Sequence, residues 1–302
     1  MEIGRLGGRI DHWRQWLEST RPPRVACEVA ADGVAVVRRA RTSLNIEAWS
    51  AKSLPEGVVR PGSLADNVLN PGVLEGVLRE LLGQVATGEK RVAVILPDAV
   101  ARLWLLRVEK LPEKRAEAAA MLRWRLAKEV AFDLEQTLLA YQVFPRAEAG
   151  AEVLVAAAQR AFLRQYEERF EALGFEPDWV TLATLATLGW LEPEPPACRM
   201  LARRDPSSLG LAIVRGNDLR FVRSLPAILA EGSAEALFDQ IYPSLVYYQD
   251  HWGEPVTQAL LVGMGEARAE LARLLHREAG CLAVELTLES WVGQPPPGPR
   301  LP

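Results

Sequence analysis

The sequence predicts an α/β layer fold of two lobes, with an α+β subdomain inserted into the first. Three observations carry this. Strand-length apolar runs such as Val92-Ala93-Val94-Ile95-Leu96 alternate with amphipathic helical stretches, the pattern of helices layered on sheets. At 302 residues, 49% apolar and 25% charged, the chain is long for one core and suits two lobes or a lobe with an insertion. Each half also holds a hairpin-like stretch, RVACEVAADGVAVV over 24–37 and then Leu209–Val214 with Leu219–Ser224.

The chain opens with Ile10, Trp13 and Leu17 on one face of a short helix, with Trp16 beside them and Pro22-Pro23 stopping it. Residues 1–23 therefore read as an N-terminal helix packed on the first lobe, with docking on a membrane surface or a partner as the other reading. That lobe is expected over 24–101 and 178–196. Within its hairpin, Asp32-Gly33 flanked by alternating apolar residues predicts a tight turn whose central residues both take positive φ. An irregular stretch with Pro and Gly leads to residue 72. A helix carrying Val73, Val77, Leu81 and Leu82 follows, and then the strand 91–96, ending at Pro97-Asp98.

Residues 102–177 read as strand, helix, strand, strand, helix, a compact inserted subdomain. Arg102–Val108 alternate as a strand, and Pro112 opens a helix to Val130 that turns Ala119, Leu122, Leu126 and Val130 inward. The strands Thr137–Phe144 and Val153–Ala157 are joined by a charged turn around Glu148-Ala149-Gly150. The helix 159–173 puts Phe162, Tyr166, Phe170 and Leu173 on one stripe and stops at Gly174. A helix Leu182–Leu191 returns to the first lobe, and Glu192-Pro193-Glu194-Pro195-Pro196 is the clearest linker.

The second lobe, 197–290, contains the hairpin turned by Gly216-Asn217 and a helix capped by Ser233. That helix carries Leu237, Ile241, Leu245, Tyr248 and Trp252 on one stripe and is kinked at Pro243. The strand Gln258–Val262, the turn Gly263-Met264-Gly265, a helix to Ala279 and a last strand to Thr287 complete it. Residues 291–302 form a Pro-rich tail.

Composition excludes several functions. A net charge of −4, with Lys and Arg dispersed among Asp and Glu, leaves no electrostatic footprint for nucleic acid. Cys27, Cys198 and Cys281 lie far apart without metal-ligand spacing and read as reduced core residues. No apolar run approaches the roughly 18 residues of a membrane span, and Asp11, Arg14 and Glu18 interrupt any signal-peptide region, so a cytoplasmic location is expected. His12, His251 and His276 have no neighbours at ligand spacing and read as surface or capping residues. No Ser, His and Asp set can be assembled from the sequence.

The order of parts resembles the actin-like (ribonuclease H-like) ATPases, in which two related lobes each begin with a hairpin that turns around a nucleotide phosphate. Three stretches narrow the resemblance: Pro97-Asp98-Ala99-Val100, Leu122-Arg123-Trp124-Arg125-Leu126-Ala127-Lys128-Glu129, and Phe132-Asp133-Leu134-Glu135 followed by Leu139-Ala140-Tyr141-Gln142-Val143. With Val153-Leu154-Val155-Ala156-Ala157-Ala158 and Leu173-Gly174-Phe175-Glu176-Pro177, they look like the PilM family of type IV pilus assembly proteins, relatives of the cell-division protein FtsA. The dense match covers 92–187 and a looser one about 24–287. The resemblance implies a cytoplasmic two-lobed protein, peripheral to the inner membrane through its partner, that binds ATP. It also implies capture of the short cytoplasmic tail of a PilN-like inner-membrane protein in the cleft between the first lobe and the insertion. Leu103, Leu105, Phe132 and Leu134 are the candidates for that cleft, with plain subdomain core as their other reading.

This chain departs from the family at its nucleotide motifs. The family's Asp-Ile-Gly-Ser-Ser-Ser-type turn is matched by Glu28-Val29-Ala30-Ala31-Asp32-Gly33, which loses the close-approach Gly and the hydroxyls. The second motif, Asp-x-Gly with a following Thr, falls on Arg203-Arg204-Asp205 and Leu209. Arg203 and Arg204 are expected to be a solvated charge pair. Gly263 and Gly265 stand where an adenosine would pack and are the vestige of the third motif. The expectation is a non-catalytic scaffold with no metal and no cofactor, ATP with magnesium being disfavoured. Two other readings remain. One is a divergent ATPase, sugar-kinase relative or nucleotide-dependent switch that grips phosphate with Arg203 and Arg204 and uses Glu28 for the metal. The other is a cytoplasmic domain like that of a type II secretion linker protein, which normally continues into a transmembrane helix.

Overall fold

The computed structural model describes residues 23–41, 45–63, 65–127, 136–145, 150–189, 191, 197–216, 218–226 and 233–286. The expected N-terminal helix, apart from residue 23, the Pro-rich linker and tail, and Phe132, Leu134 and Asn217 lie outside them. Three sheets are present. The first lobe contains β1 (Val25–Val29), β2 (Gly33–Arg39), β3 (Ile46–Ser53), α1 (Pro71–Val85) and β4 (Arg91–Leu96). The chain then leaves for β5 (Arg102–Val108), α2 (Arg115–Leu126), β6 (Thr137–Pro145), β7 (Ala151–Gln159) and α3 (Arg160–Glu171). It returns through β8 (Glu176–Leu182), which pairs in parallel with β4 to complete a sheet of order β3-β2-β1-β4-β8.

A short helix, α4 (Ala183–Leu188), leads to the second lobe. There β9 (Cys198–Arg204), β10 (Ser208–Arg215), β11 (Asp218–Pro226), α5 (Ala234–Trp252), β12 (Gln258–Val262), α6 (Arg268–Ala279) and β13 (Leu282–Glu285) build a sheet of order β11-β10-β9-β12-β13. The two five-stranded sheets share one topology: an antiparallel meander followed by two parallel strands stacked on its first strand. That repetition is invisible as sequence similarity. It follows from where apolar side chains alternate.

In β1 the alternation buries Val25, Cys27 and Val29, and in β4 Val92, Val94 and Leu96, all on the face covered by α1. The strands β3, β8 and β9 were not foreseen as elements. β3, IEAWSAKS, and β8, EPDWVTL, are edge strands whose polar residues blur the period-2 signal. β9, CRMLARR, ends in two arginines that interrupt the apolar pattern of its buried first half.

The first hairpin differs from the predicted turn. Val29 pairs with Val34, so the loop has four residues, closed by Ala30 N–H donating to the Gly33 carbonyl at 2.8 Å. Gly33 does not take positive φ. It opens β2, where a Cβ would lie 3.1 Å from the Lys52 carbonyl oxygen of β3, so the residue serves strand approach.

The insertion has its own small core of Val108, Leu122, Leu126, Val153 and Val155, between α2 and one face of a β5-β7-β6 sheet. On α2 it is Ala118, not Ala119, that joins Leu122 and Leu126 in burial. The insertion is also shorter than 102–177. α3 packs on α1, and its Leu163, Tyr166 and Phe170 join the first-lobe core. Gln165 Oε1 accepts from the backbone N–H groups of Asn67 at 2.8 Å and Val68 at 3.0 Å, and Arg169 pairs with Glu75 at 2.8 Å. The insertion with a core of its own is therefore 102–159, and the other face of its sheet packs on the first core through Phe144, Leu154 and Ala158. The apolar stripe of α3 was read correctly, but periodicity does not say which core a stripe meets.

The first core continues into the second lobe through Leu201, Ala212, Val214, Leu219 and Val222, while a separate core fills the space between the second sheet and α5 with α6. All three cysteines are buried and unpaired. No helix among the described residues is long and apolar enough to cross a membrane.

Candidate functional site

The parallel strands β1 and β4 of the first lobe, and β9 and β12 of the second, bring their C-terminal ends toward one junction, where open α/β sheets place their chemistry. Glu28 comes from β1, Asp98 from the turn after β4, Thr184 and Thr187 from α4, and Arg203 from β9.

Arg203 was expected to be solvated, and the structure corrects this. Its side chain is only 13% exposed and Nη2 donates to Glu28 Oε1, a residue 175 positions away and itself 30% exposed. Nη1 donates to Thr187 Oγ1 at 3.3 Å, and Thr187 donates in turn to the Ala183 carbonyl at 2.8 Å. Arg204, next in the strand, projects from the opposite face of the sheet.

Asp98, 2% exposed, caps α4: Oδ1 accepts from the Thr184 backbone N–H at 3.1 Å and Oδ2 accepts from the Thr184 hydroxyl. Burial pushes its carboxyl up to about 6, against the lowering effect of the Thr184 bonds and of Arg203, while Asp205 adds to the rise. Gly210 of β10, the cross-strand neighbour of Arg203, seats directly on this pair. A Cβ there would overlap Thr184 Oγ1 and Asp98 Oδ2 and lie 3.0 Å from Thr184 Cβ.

The β9–β10 loop is closed on itself. Asp205 Oδ1 accepts from the backbone N–H groups of Ser207 at 2.7 Å and Ser208 at 2.9 Å, and Oδ2 accepts from the Ser208 hydroxyl at 2.7 Å. Gly263 and Gly265 both take positive φ, 72° and 55°. Gly263 lies so close to Arg204 that a Cβ would overlap its carbonyl oxygen, and Met264 between the glycines is buried in the second core. This turn packs β12 against β9.

The cleft candidates Leu103 and Leu105 lie on β5, half-buried against the first core, with β11 of the second lobe alongside. They share one sheet face with Ala156 and Leu154, and beyond them with Ala140 of β6, which is exposed, as is Leu138 on the same face. Among the described residues no group of three His, Cys, Asp or Glu can hold a metal ion.

Sequence reasoning missed the Asp98, Thr184 and Gly210 contact and the Arg203 to Glu28 pair. The available signal was an acid placed two residues after a strand whose last five residues are apolar, RVAVIL-P-D.

Two lobes of identical strand order, joined at the ends of their central parallel strands, define the actin-like fold. The chain is similar to a chain of a solved PilM-PilN type IV pilus biogenesis complex, at 21% identity over 90% of each chain with a TM-score of 0.72. It is also similar to a Bacteroides thetaiotaomicron protein with an actin-like ATPase fold, at 14% identity over 89% of this chain and 93% of that one, TM-score 0.55. No family model and no curated protein matches the sequence.

Proposed function

We propose that the chain is a non-catalytic, PilM-like scaffold of type IV pilus assembly, cytoplasmic and held at the inner membrane by the cytoplasmic tail of a PilN-like partner. The observation that carries this is the likeness over nine-tenths of both chains to the PilM-PilN complex. The insertion supports it. Its sheet offers a partly open apolar face, Leu103, Leu105, Leu138 and Ala140, on which β6 is an edge strand among the described residues, an arrangement that suits an extended peptide added as a strand. Binding through apolar contact and backbone hydrogen bonds should depend little on salt. Calorimetry with PilN-like tail peptides is expected to give an affinity that changes less than about threefold between low and moderate salt. Leu103→Glu should weaken it at least about tenfold, by burying an unpaired charge. An affinity untouched by Leu103→Glu, or one that collapses with salt, would remove this reading of the face.

The same scaffold works without nucleotide in this proposal. The N–H groups that would grip phosphate are engaged internally, Ser207 and Ser208 by Asp205 and Ala30 by the Gly33 carbonyl, and Glu28, the carboxylate that would hold the metal, is engaged by Arg203. Each charge-assisted bond forgone is worth roughly 1.5 to 3 kcal/mol, so three cost on the order of 5 kcal/mol, several thousandfold in affinity. Titration with ATP and magnesium is expected to show no binding at physiological concentration and no hydrolysis. A micromolar dissociation constant would put the nucleotide-switch or ATPase reading ahead.

A further inference from the structure

The ion pair of Arg203 joins the central strand of one sheet to the central strand of the other, since Glu28 lies on β1 and Arg203 on β9. Its second arm reaches Thr187 on α4, the helix that links the two sheets. We propose that Arg203 is an internal latch that fixes the angle between the lobes through Glu28 and Thr187, so that the closed arrangement needs no bound ligand. This inference does not depend on the pilus reading.

Three features of the site support it. A guanidinium is a rigid planar fork, so bonds to two different elements constrain their relative position in a way that a flexible ammonium would not. The pair is withdrawn from solvent on the Arg203 side, where charge attraction is stronger than between exposed side chains. The lobes are also seated at contact distance beside it. Gly210, paired with Arg203 across β9 and β10, lies on the Asp98 and Thr184 pair with no room for a Cβ. In the same arrangement the Arg203 fork reaches Glu28. The seat supplies the distance and the latch holds the angle.

Paired spin labels on the full chain test this. Arg79 on α1 and Asp250 on α5 are exposed, one in each lobe, and replacing both with Cys places one label on each. The native Cys27, Cys198 and Cys281 are buried, and burial pushes their thiols up, Cys281 to about 12, so they stay unlabelled. The expected result is one narrow interlobe distance distribution, unchanged by ATP with magnesium. Arg203→Gln and Glu28→Gln should each at least double its width or split it in two. Arg203→Lys, which keeps the charge without the fork, should broaden it less, and Thr187→Val, which removes only the second arm, should broaden it slightly. Glu28→Gln is isosteric and half-exposed, so it reports even if Arg203→Gln does not fold. A wild-type distribution in both Gln variants, or a broad wild-type distribution that narrows only on adding ATP, overturns the proposal.

Discussion

Gly210→Val is expected to lower unfolding free energy by on the order of 4 kcal/mol. The β-carbon would overlap the Thr184 hydroxyl and the Asp98 carboxylate, two groups bonded to each other and almost wholly buried. Overpacking a filled interior costs about 1–3 kcal/mol, and parting a buried hydrogen bond without replacing it adds about 1–3 kcal/mol. Neither side can relax cheaply, because Asp98 also holds the Thr184 backbone at the start of α4. Denaturant melts should show the midpoint falling without a change in slope. Gly83→Ala is the control: it lies in α1 with nothing within 4 Å of a new Cβ, and should stabilise by about 0.5–1 kcal/mol. A loss below about 1 kcal/mol for Gly210→Val would mean that the two lobes are not in contact there.

The second large effect is in pH. Asp98 has a carboxyl raised from 3.8 to about 6, chiefly by burial. A folded value above the unfolded one means that the proton is bound more tightly in the native state. The stability it contributes is complete below pH 3.8, declines between there and about 6, and is gone above. At about 1.4 kcal/mol for each tenfold, the window carries roughly 3 kcal/mol. Asp98→Asn removes the titration while keeping an acceptor for the Thr184 N–H and a donor for its hydroxyl. The variant should match the wild type near pH 4 and exceed it by up to about 3 kcal/mol at pH 7. The comparison is made as a difference, because exposed carboxylates titrate alike in both proteins. A difference that is flat from pH 4 to 7 would show that Asp98 is not buried as described.

Both predictions concern groups whose local sequence is unremarkable. Gly210 sits inside the run SLGLAIV and reads as a strand glycine, and Thr184 lies in a short helix, ATLATL, with no charged residue to mark it. By contrast, the helix around Leu237, Ile241, Leu245 and Tyr248 was legible in its span and its cap, with Ser233 accepting from Ala236 N–H at 3.2 Å and Pro243 inside it. So were the strands RVAVIL and QALLV, whose side chains fill the two cores. Edge strands were not: β3 and β8 carry Glu47, Lys52, Glu176 and Asp178 on surfaces that never need to be apolar. The glycines 263 and 265 were placed correctly at a turn after β12, yet Gly263 is required there by the Arg204 carbonyl. No spacing rule reveals that contact.

By itself, the sequence determined that this protein is an α/β chain of two lobes with an insertion, because hydrophobic periodicity and turn residues act over a few positions and leave their mark locally. The tertiary structure alone decided that α3 belongs to the first lobe and that Arg203 is a half-buried partner of Glu28 and not a solvated charge. It alone decided that burial between two lobes raises the Asp98 carboxyl well above its ordinary value. Those outcomes depend on which surfaces meet across 86 and 175 positions of chain. A charge's energy is set by the burial and the partners it finds there, and neither is a property of its neighbours in sequence.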